Sequence, residues 1–248
     1  MALVNSFEKS GNFLFKHRGQ IPVILFIMAV PVIFFTDISK LVDWQIYTLN
    51  VFAVVLSVFG FLFRAYAIGT TPKGTSGRNT QNQVAESLNT TGIYSIVRHP
   101  LYVGNYFMWI GIVMFTYNVY FVAIVSLLFW LYYERIMYAE ERFLERKFGE
   151  KYMNWTETVP AFIPSFKIAT KSAVHFSMKT ILRREYAGVF ATVFGFAFVD
   201  YLRFYLIDEL NGPILRTSLH VLVLTGILTL ILRTLKHNTK LLSEEDRS

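Results

Sequence analysis

A polar segment between two apolar runs carries the residue types that could do chemistry. It reads Gly92-Ile93-Tyr94-Ser95-Ile96-Val97-Arg98-His99-Pro100-Leu101-Tyr102-Val103-Gly104. Glycine permits backbone shapes that other residues resist, and a proline disfavours helix at the residue before it. Arg98 and His99 are therefore predicted to lie at a helix entrance. Two interpretations follow: a pair that binds or reacts, or an anchor at a membrane interface.

A second candidate is the pair of adjacent carboxylates Glu140 and Glu141, which follows a later apolar run. Carboxylates at the emerging end of a membrane helix are costly unless they are wetted or paired. Pairing along one helix face explains them poorly, because the i,i+4 neighbour of Glu141 is Glu145, a like charge. Arg135 or another segment of the chain remains open as a partner. Both carboxylates are candidate site residues.

The composition indicates a membrane protein. Of the 248 residues 54% are apolar and only 17% charged, a balance that soluble domains rarely show. The absence of Cys excludes disulfides, thiolate metal sites and cysteine nucleophiles. No zinc, P-loop, dinucleotide or nucleophile-elbow motif is present, so the sequence predicts no metal.

The apolar residues fall into six runs, each predicted to be a membrane-spanning helix. The predicted fold class is all-α, a polytopic integral membrane protein whose site faces the cytoplasm. Arg64 lies near the end of the second run, where its side chain is expected to snorkel to the interface. The runs cover residues 21–35, 46–68, 101–115, 119–137, 187–206 and 214–232.

The distribution of charge predicts the topology. Six spans put both termini on one side, and 21 of the 24 Lys and Arg then fall in segments assigned to the cytoplasm. The cations are spread over several segments, which argues against a nucleic-acid partner. We expect both termini and the site to be cytoplasmic, in the inner membrane if the organism is bacterial.

Two connecting segments carry further cations. Lys73 and Arg78, in the loop 70–78, are candidates for binding a phosphate head group together with backbone amides. A flexible loop without that role is the alternative. The basic segment after Pro164 is read either as an amphipathic helix on an anionic leaflet or as a solvated linker.

The motif residues together resemble the isoprenylcysteine carboxyl methyltransferase family and the related phospholipid methyltransferases. The resemblance covers roughly residues 46–165, between a tail with a first span (1–45) and a basic segment with two further spans (166–248). The Arg-His-Pro-x-Tyr-x-Gly motif alone is shared with membrane sterol reductases. The paired Glu residues and the Phe-Gly-x-x-Tyr sequence that follows them make the resemblance to the methyltransferases more specific. The matching residues are Gly92, Tyr94, Arg98, His99, Pro100, Tyr102, Gly104, Glu140, Glu141, Phe148, Gly149, Tyr152, Val159, Pro160, Ile163 and Pro164.

This resemblance implies transfer of a methyl group from S-adenosylmethionine to a membrane-embedded lipid or lipidated acceptor. It implies that Arg98 is free to face the acceptor, with His99 as the base if the acceptor is an amine. His99 would also line the cofactor pocket. The other residues that it assigns to the cofactor are Gly92, Tyr94, Tyr102, Gly104, Glu140 and Glu141.

Two other functions compete with this one. An NADPH-dependent sterol-type reductase would share the Arg-His-Pro motif, but that group typically has Asn where this chain has Leu101. A non-enzymatic scaffold or transporter would explain the spans but not the concentration of polar residues at one edge. The acceptor's head group (carboxylate, phosphate or amine), the role of the last two spans and homo-oligomer formation stay open.

Overall fold

The fold is built from helices. The computed structural model describes residues 2–75, 83, 85–207 and 216–244. Within those ranges there is no strand, which confirms the predicted all-α class. The α-helices are α1 (Leu3–Lys16), α2 (Val23–Phe34), α3 (Asp43–Gly69), α4 (Pro100–Met114), α5 (Val119–Phe148), α6 (Glu150–Thr158), α7 (Met178–Leu206) and α8 (Thr217–Asn238), with a 3₁₀ helix at Gly92–Ser95.

All six predicted spans contain an apolar helix, and four of these helices are long enough to cross a bilayer. The four are α3, α5, α7 and α8, with 22 to 30 residues each. The other two, α2 and α4, have 12 and 15 residues. At 1.5 Å per residue α2 is about 18 Å long, well short of a hydrocarbon core of about 30 Å. The protein is an integral membrane protein.

Two of the long helices extend past their apolar runs. The predicted span 119–137 continues as α5 to Phe148 and so carries both candidate carboxylates. The predicted span 187–206 begins at Met178, as α7. These extensions are rich in charged residues, so a prediction based on apolar runs ends before them.

The N-terminal segment forms α1, which packs against α5. Glu8 and Arg146 are joined at 2.7 Å, and the guanidinium of Arg135 lies 3.6 Å from the ring centre of Phe7. Gly11 touches the backbone of α5, where an added Cβ would lie 2.0 Å from the carbonyl oxygen of Arg135. This contact brings the end of α1 to the edge of the protein that holds the candidate site.

Close packing of α3 on α4 depends on small residues. A Cβ at Gly104 would lie 2.4 Å from Cγ of Arg64 and 2.7 Å from the carbonyl oxygen of Gly60. One glycine therefore faces another across the interface, as is common between membrane helices. Gly104 serves helix packing, and its Cα faces α3.

The chain between α6 and α7 contains no helix from Val159 to Ser177. The amphipathic-helix interpretation is therefore wrong for residues 166–177, where the basic segment is irregular. Proline at positions 160 and 164 removes two backbone donors and fixes two φ angles, which favours the extended path. Lys179, Arg183 and Arg184 lie in the first two turns of α7.

Candidate active site

The motif residues form a sharp entry into α4. Gly92 has a φ of +62°, which glycine tolerates, and it begins the 3₁₀ helix. His99 is the N-cap residue of α4, and Pro100 occupies the first helical position. Proline suits that position because it needs no amide donor there. The prediction that Arg98 and His99 lie at a helix entrance is confirmed.

The irregular segment after α6 holds the motif's backbone in place. The amide of Arg98 donates to the carbonyl of Pro160 at 2.9 Å, and the amide of His99 donates to Ala161 at 3.1 Å. In return the amide of Ser165 donates to Ile96 at 2.8 Å. The proline-containing segment 160–165 thus lies directly against the motif. It fixes where the Arg98 and His99 side chains leave the backbone.

The Arg98 side chain forms hydrogen bonds with other residues of the protein. Its Nε and Nη2 donate to one Glu141 oxygen at 3.0 and 2.9 Å, and Nη1 donates to the carbonyls of Thr156 and Val159 at 3.1 and 2.6 Å. The prediction that Arg98 is free to face the acceptor is therefore wrong in this structure. The guanidinium ties α5 to the C-terminal end of α6 behind the motif.

His99 lies between the two candidate carboxylates. Its Nε2 is 3.0 Å from a Glu141 oxygen, and its Nδ1 is 3.5 Å from a Glu140 oxygen. Burial alone would lower the pKa of His99, but the hydrogen bonds and negative charges of Glu140 and Glu141 outweigh burial and raise it. A protonated imidazole can donate from both ring nitrogens at once. The two carboxylates therefore favour the protonated form of His99 over the neutral form.

A cavity of about 690 Å³ opens beside this cluster. Five predicted site residues line it: Tyr94, Arg98, His99, Tyr102 and Glu140. Gly92, Gly104, Glu141 and Lys73 are absent from its wall. Glu141 reaches the cavity wall through its contacts with His99 and Arg98. Lys73 is exposed on the loop, and Arg78 lies outside the described residues.

The far wall of the cavity comes from the chain before the motif. The described residues of the segment 83–89 contribute several side chains, and Arg18, just after α1, contributes another. Asn89 accepts from the amide of Thr91 through its Oδ1. Its Nδ2 is buried and has no hydrogen-bond partner among the described residues. Asn89 lines the cavity, but this nitrogen is sealed from it and is a buried unsatisfied donor within the wall.

Aromatic rings form much of the remaining wall. Tyr102 stacks against His99 with ring centres 5.7 Å apart and lies 4.6 Å from Tyr133. Trp155 also lines the cavity and donates from its indole to the carbonyl of Tyr94 at 3.1 Å. The faces of such rings attract cations, and a carboxylate beside them adds a charge of the right sign. The cavity thus offers aromatic surface beside one carboxylate, Glu140, and the cations of Arg18, Arg64, Arg98 and Arg184.

The base of the cavity holds a buried network that the sequence patterns did not reveal. Arg64 pairs with Glu185 through two hydrogen bonds of 2.9 and 2.8 Å, and its Nη1 donates to Asn105 at 2.5 Å. Asn105 in turn donates to the hydroxyl of Tyr133 at 3.0 Å. The expected snorkelling of Arg64 is wrong, because α7 brings a carboxylate to it. An arginine inside an apolar run was the available signal, since such residues are usually partnered.

Within the described ranges, no group of three or more His, Cys, Asp or Glu is placed to hold a metal ion. Fold and site together define a polytopic helical membrane protein with a polar, aromatic cavity at one edge. A family model described as phospholipid methyltransferase (PEMT) matches residues 48–151. The chain belongs to the isoprenylcysteine carboxyl methyltransferase and phospholipid methyltransferase family.

Three relatives show the extent of the similarity. The chain is 31% identical over 162 residues to the nickel-cobalt-cadmium resistance protein NccN of Alcaligenes xylosoxydans xylosoxydans, covering 63% of this chain and 69% of that protein. It is 31% identical to the cobalt-zinc-cadmium resistance protein CzcN of Cupriavidus metallidurans, covering 63% and 68%. It is 32% identical to the protein-S-isoprenylcysteine O-methyltransferase of Schizosaccharomyces pombe, covering 44% and 48%.

These matches differ in coverage. The chain spans about half the length of the curated isoprenylcysteine methyltransferases from Schizosaccharomyces pombe and Xenopus laevis, at 48% and 43%. No solved structure matches the chain. The matched family core ends near residue 151, so α7 and α8 lie beyond it.

Proposed function

We propose that this protein transfers a methyl group from S-adenosylmethionine to a membrane-embedded lipid or lipidated acceptor. Family membership supports methyl transfer, and the membrane helices support an acceptor that stays in the bilayer. The observation that carries the proposal is the cavity in which His99, Tyr102 and Glu140 meet. Positive-inside charge further supports a cytoplasmic position for this edge and for both ends of the chain.

The cavity residues fit the proposed methyl donor. Glu140 would hold its ammonium group, as charge-assisted hydrogen bonds require. Arg18, at the same wall, offers a cation for the ligand's carboxylate. When bound, S-adenosylmethionine supplies an electrophilic methyl group on a sulfonium.

The protein's own part in such a reaction is alignment and exclusion of water. Methyl transfer from sulfonium disperses positive charge, so the main requirement is an in-line approach of the acceptor. The Arg98–Glu141 contact fixes α5 against α6, and the backbone bonds to residues 160–165 fix His99 at the cavity edge. The stacked rings of His99 and Tyr102 then form a rigid wall for the reacting groups.

The state of His99 bears on the acceptor. An amine acceptor must lose a proton before it can attack, which needs a base near the working pH. Both ring nitrogens of His99 already face carboxylates, Nε2 that of Glu141 and Nδ1 that of Glu140, and these raise its pKa, so neither nitrogen is turned toward an acceptor amine. An acceptor oxygen that is already anionic, such as carboxylate or phosphate, needs no base. We therefore favour an anionic oxygen over an amine.

Calorimetry on the detergent-purified protein tests the assignment. We expect S-adenosylhomocysteine to bind in the micromolar range and NADPH to give no heat of binding. Glu140→Gln should weaken the binding, while Glu157→Gln, at an exposed residue away from the cavity, should leave it unchanged. Binding of NADPH alone would support the reductase, and binding of neither compound would support a scaffold.

A further inference from the structure

A second cavity, of about 750 Å³, lies among α3, α4, α7 and α8. Ten of its sixteen lining residues are apolar, with valine and phenylalanine the most frequent. The hydroxyls of Ser57 and Thr192 also line it, but they donate to the carbonyls of Met108 and Gly188 at 2.8 and 2.9 Å. The middle of the cavity is therefore an apolar environment.

The two cavities lie one above the other along the same helices. On α3 the apolar cavity reaches Phe61 and the polar cavity begins at Arg64, one turn later. On α4 the corresponding residues are Met108 and Asn105. Arg64, which pairs with Glu185, is the α3 residue of the polar cavity nearest to the apolar one. A molecule in the apolar cavity would thus have one end close to the floor of the polar cavity.

The other end of the apolar cavity is closed by a polar cluster. Asp200 accepts from Arg216 at 2.9 and 3.1 Å and from Ser218 at 2.6 Å. From Val189 to Asp200, α7 lines the cavity along a stretch of twelve residues, or about 16 Å along the helix axis. An elongated apolar space with polar ends matches a single extended hydrocarbon chain.

We infer that this cavity binds the hydrocarbon chain of the methyl acceptor, with its head group toward Arg64. The inference rests on the proposed function, and it gives α7 and α8 a role. These helices lie beyond the matched family core and form one side of the cavity. The occupant is a lipid because the cavity is apolar and lies between membrane helices, and its tail points away from the donor because the apolar cavity extends along α3 away from the polar one.

Photo-crosslinking tests the site with palmitate that carries a mid-chain diazirine. The purified protein is labelled in detergent, and the labelled peptides are identified by mass spectrometry. We expect labelling on the cavity faces of α7 and α8, reduced about tenfold by excess unlabelled palmitate and little changed by hexanoate. Labelling that no competitor reduces, or that is equal on cavity and lipid-facing sides, would overturn the inference.

Two valines on α8 give a matched pair of variants. Val221 lines the cavity, whereas Val223 on the same helix is absent from its wall, and the two are similarly exposed, at 44% and 52%. Val221→Trp should lose the competed labelling, and Val223→Trp should keep it. Val193→Trp repeats the test from α7 if the first variant does not fold. A folded Val221→Trp or Val193→Trp variant whose competed labelling equals that of Val223→Trp would contradict the site.

S-adenosylhomocysteine binding separates this inference from the proposed function. Val221→Trp should bind S-adenosylhomocysteine like the unmodified protein, because it lies outside the polar cavity. Normal binding without competed labelling overturns the tail site alone. Competed labelling without any S-adenosylhomocysteine binding overturns the proposed function, and with it the role of the bound chain as an acceptor.

Discussion

Arg98 and Glu141, 43 positions apart, are joined by two hydrogen bonds from the guanidinium to one carboxylate oxygen. The Arg98 side chain is 13% exposed and that of Glu141 26% exposed, so water screens the contact only in part. The same oxygen lies 3.0 Å from His99. Glu141 is thus a brace for the motif, and Glu140 is the carboxylate that faces the cavity.

Glu141→Gln should both destabilise the protein and weaken S-adenosylhomocysteine binding. Removing one partner of a buried ion pair costs about 3 kcal/mol, because the other charge loses its compensation. Thermal unfolding in detergent and calorimetry measure the two effects. The matched control is Glu145→Gln, whose contact with Arg142 is more than a third exposed and is expected to contribute under about 1 kcal/mol. Equal losses in both variants would mean that the pocket is misplaced.

Glu140→Gln should weaken binding with little change in stability. A charge-assisted hydrogen bond contributes about 1.5–3 kcal/mol, so the dissociation constant for S-adenosylhomocysteine should rise roughly tenfold or more. Calorimetry gives the affinity, and the melting temperature serves as the control on folding. A variant that melts far earlier yet binds normally would mean that Glu140 is the brace and Glu141 the ligand-binding carboxylate.

His99 should make stability depend on pH in a defined direction. Its folded-state pKa is raised from 6.5, so folding favours the protonated form. The resulting stabilisation is complete below the unfolded pKa of about 6.5 and is lost as pH rises through the higher folded pKa. The gap in melting temperature between the unmodified protein and His99→Gln should therefore shrink as pH rises from about 6 upward. A gap that widens over this range would show that the histidine is held neutral.

Glu185→Gln should destabilise the helix bundle and disturb the floor of the polar cavity. The Glu185 side chain is 2% exposed and that of Arg64 14%, so the substitution leaves a buried guanidinium without its counter-charge. We expect a loss of about 3 kcal/mol or more, seen as earlier unfolding in detergent. Glu157→Gln is the control and should unfold like the unmodified protein. Equal stability of both variants would mean that α7 does not depend on this pair.

The meeting of the motif with the Glu140 segment could be predicted from the sequence. Both lie at the ends of apolar runs joined by a short turn, so the topology brings them to one edge. The helix entrance at His99 followed from the proline after it. These are local signals, and the positions of Tyr94, Tyr102 and Glu140 at the cavity agree with them.

The partners of the charged side chains could not be predicted. The acceptors of Arg98 include the carbonyls of Thr156 and Val159, which any sequence provides and only the fold positions. Arg64 and Glu185 are 121 positions apart, and no spacing rule links them. The motif alone assigns Gly104 to the cofactor, but its missing Cβ is needed for the approach of α3.

The most direct test of the central claim follows the methyl group itself. Purified protein is incubated with methyl-labelled S-adenosylmethionine and an extract of membrane lipids, and the label in the lipid fraction is counted and its carrier identified. We predict transfer to an anionic lipid oxygen, recovered as an ester, that at limiting S-adenosylmethionine is much reduced in Glu140→Gln and unchanged in Glu145→Gln. No label in any lipid or lipidated product, despite S-adenosylhomocysteine binding, would contradict the account.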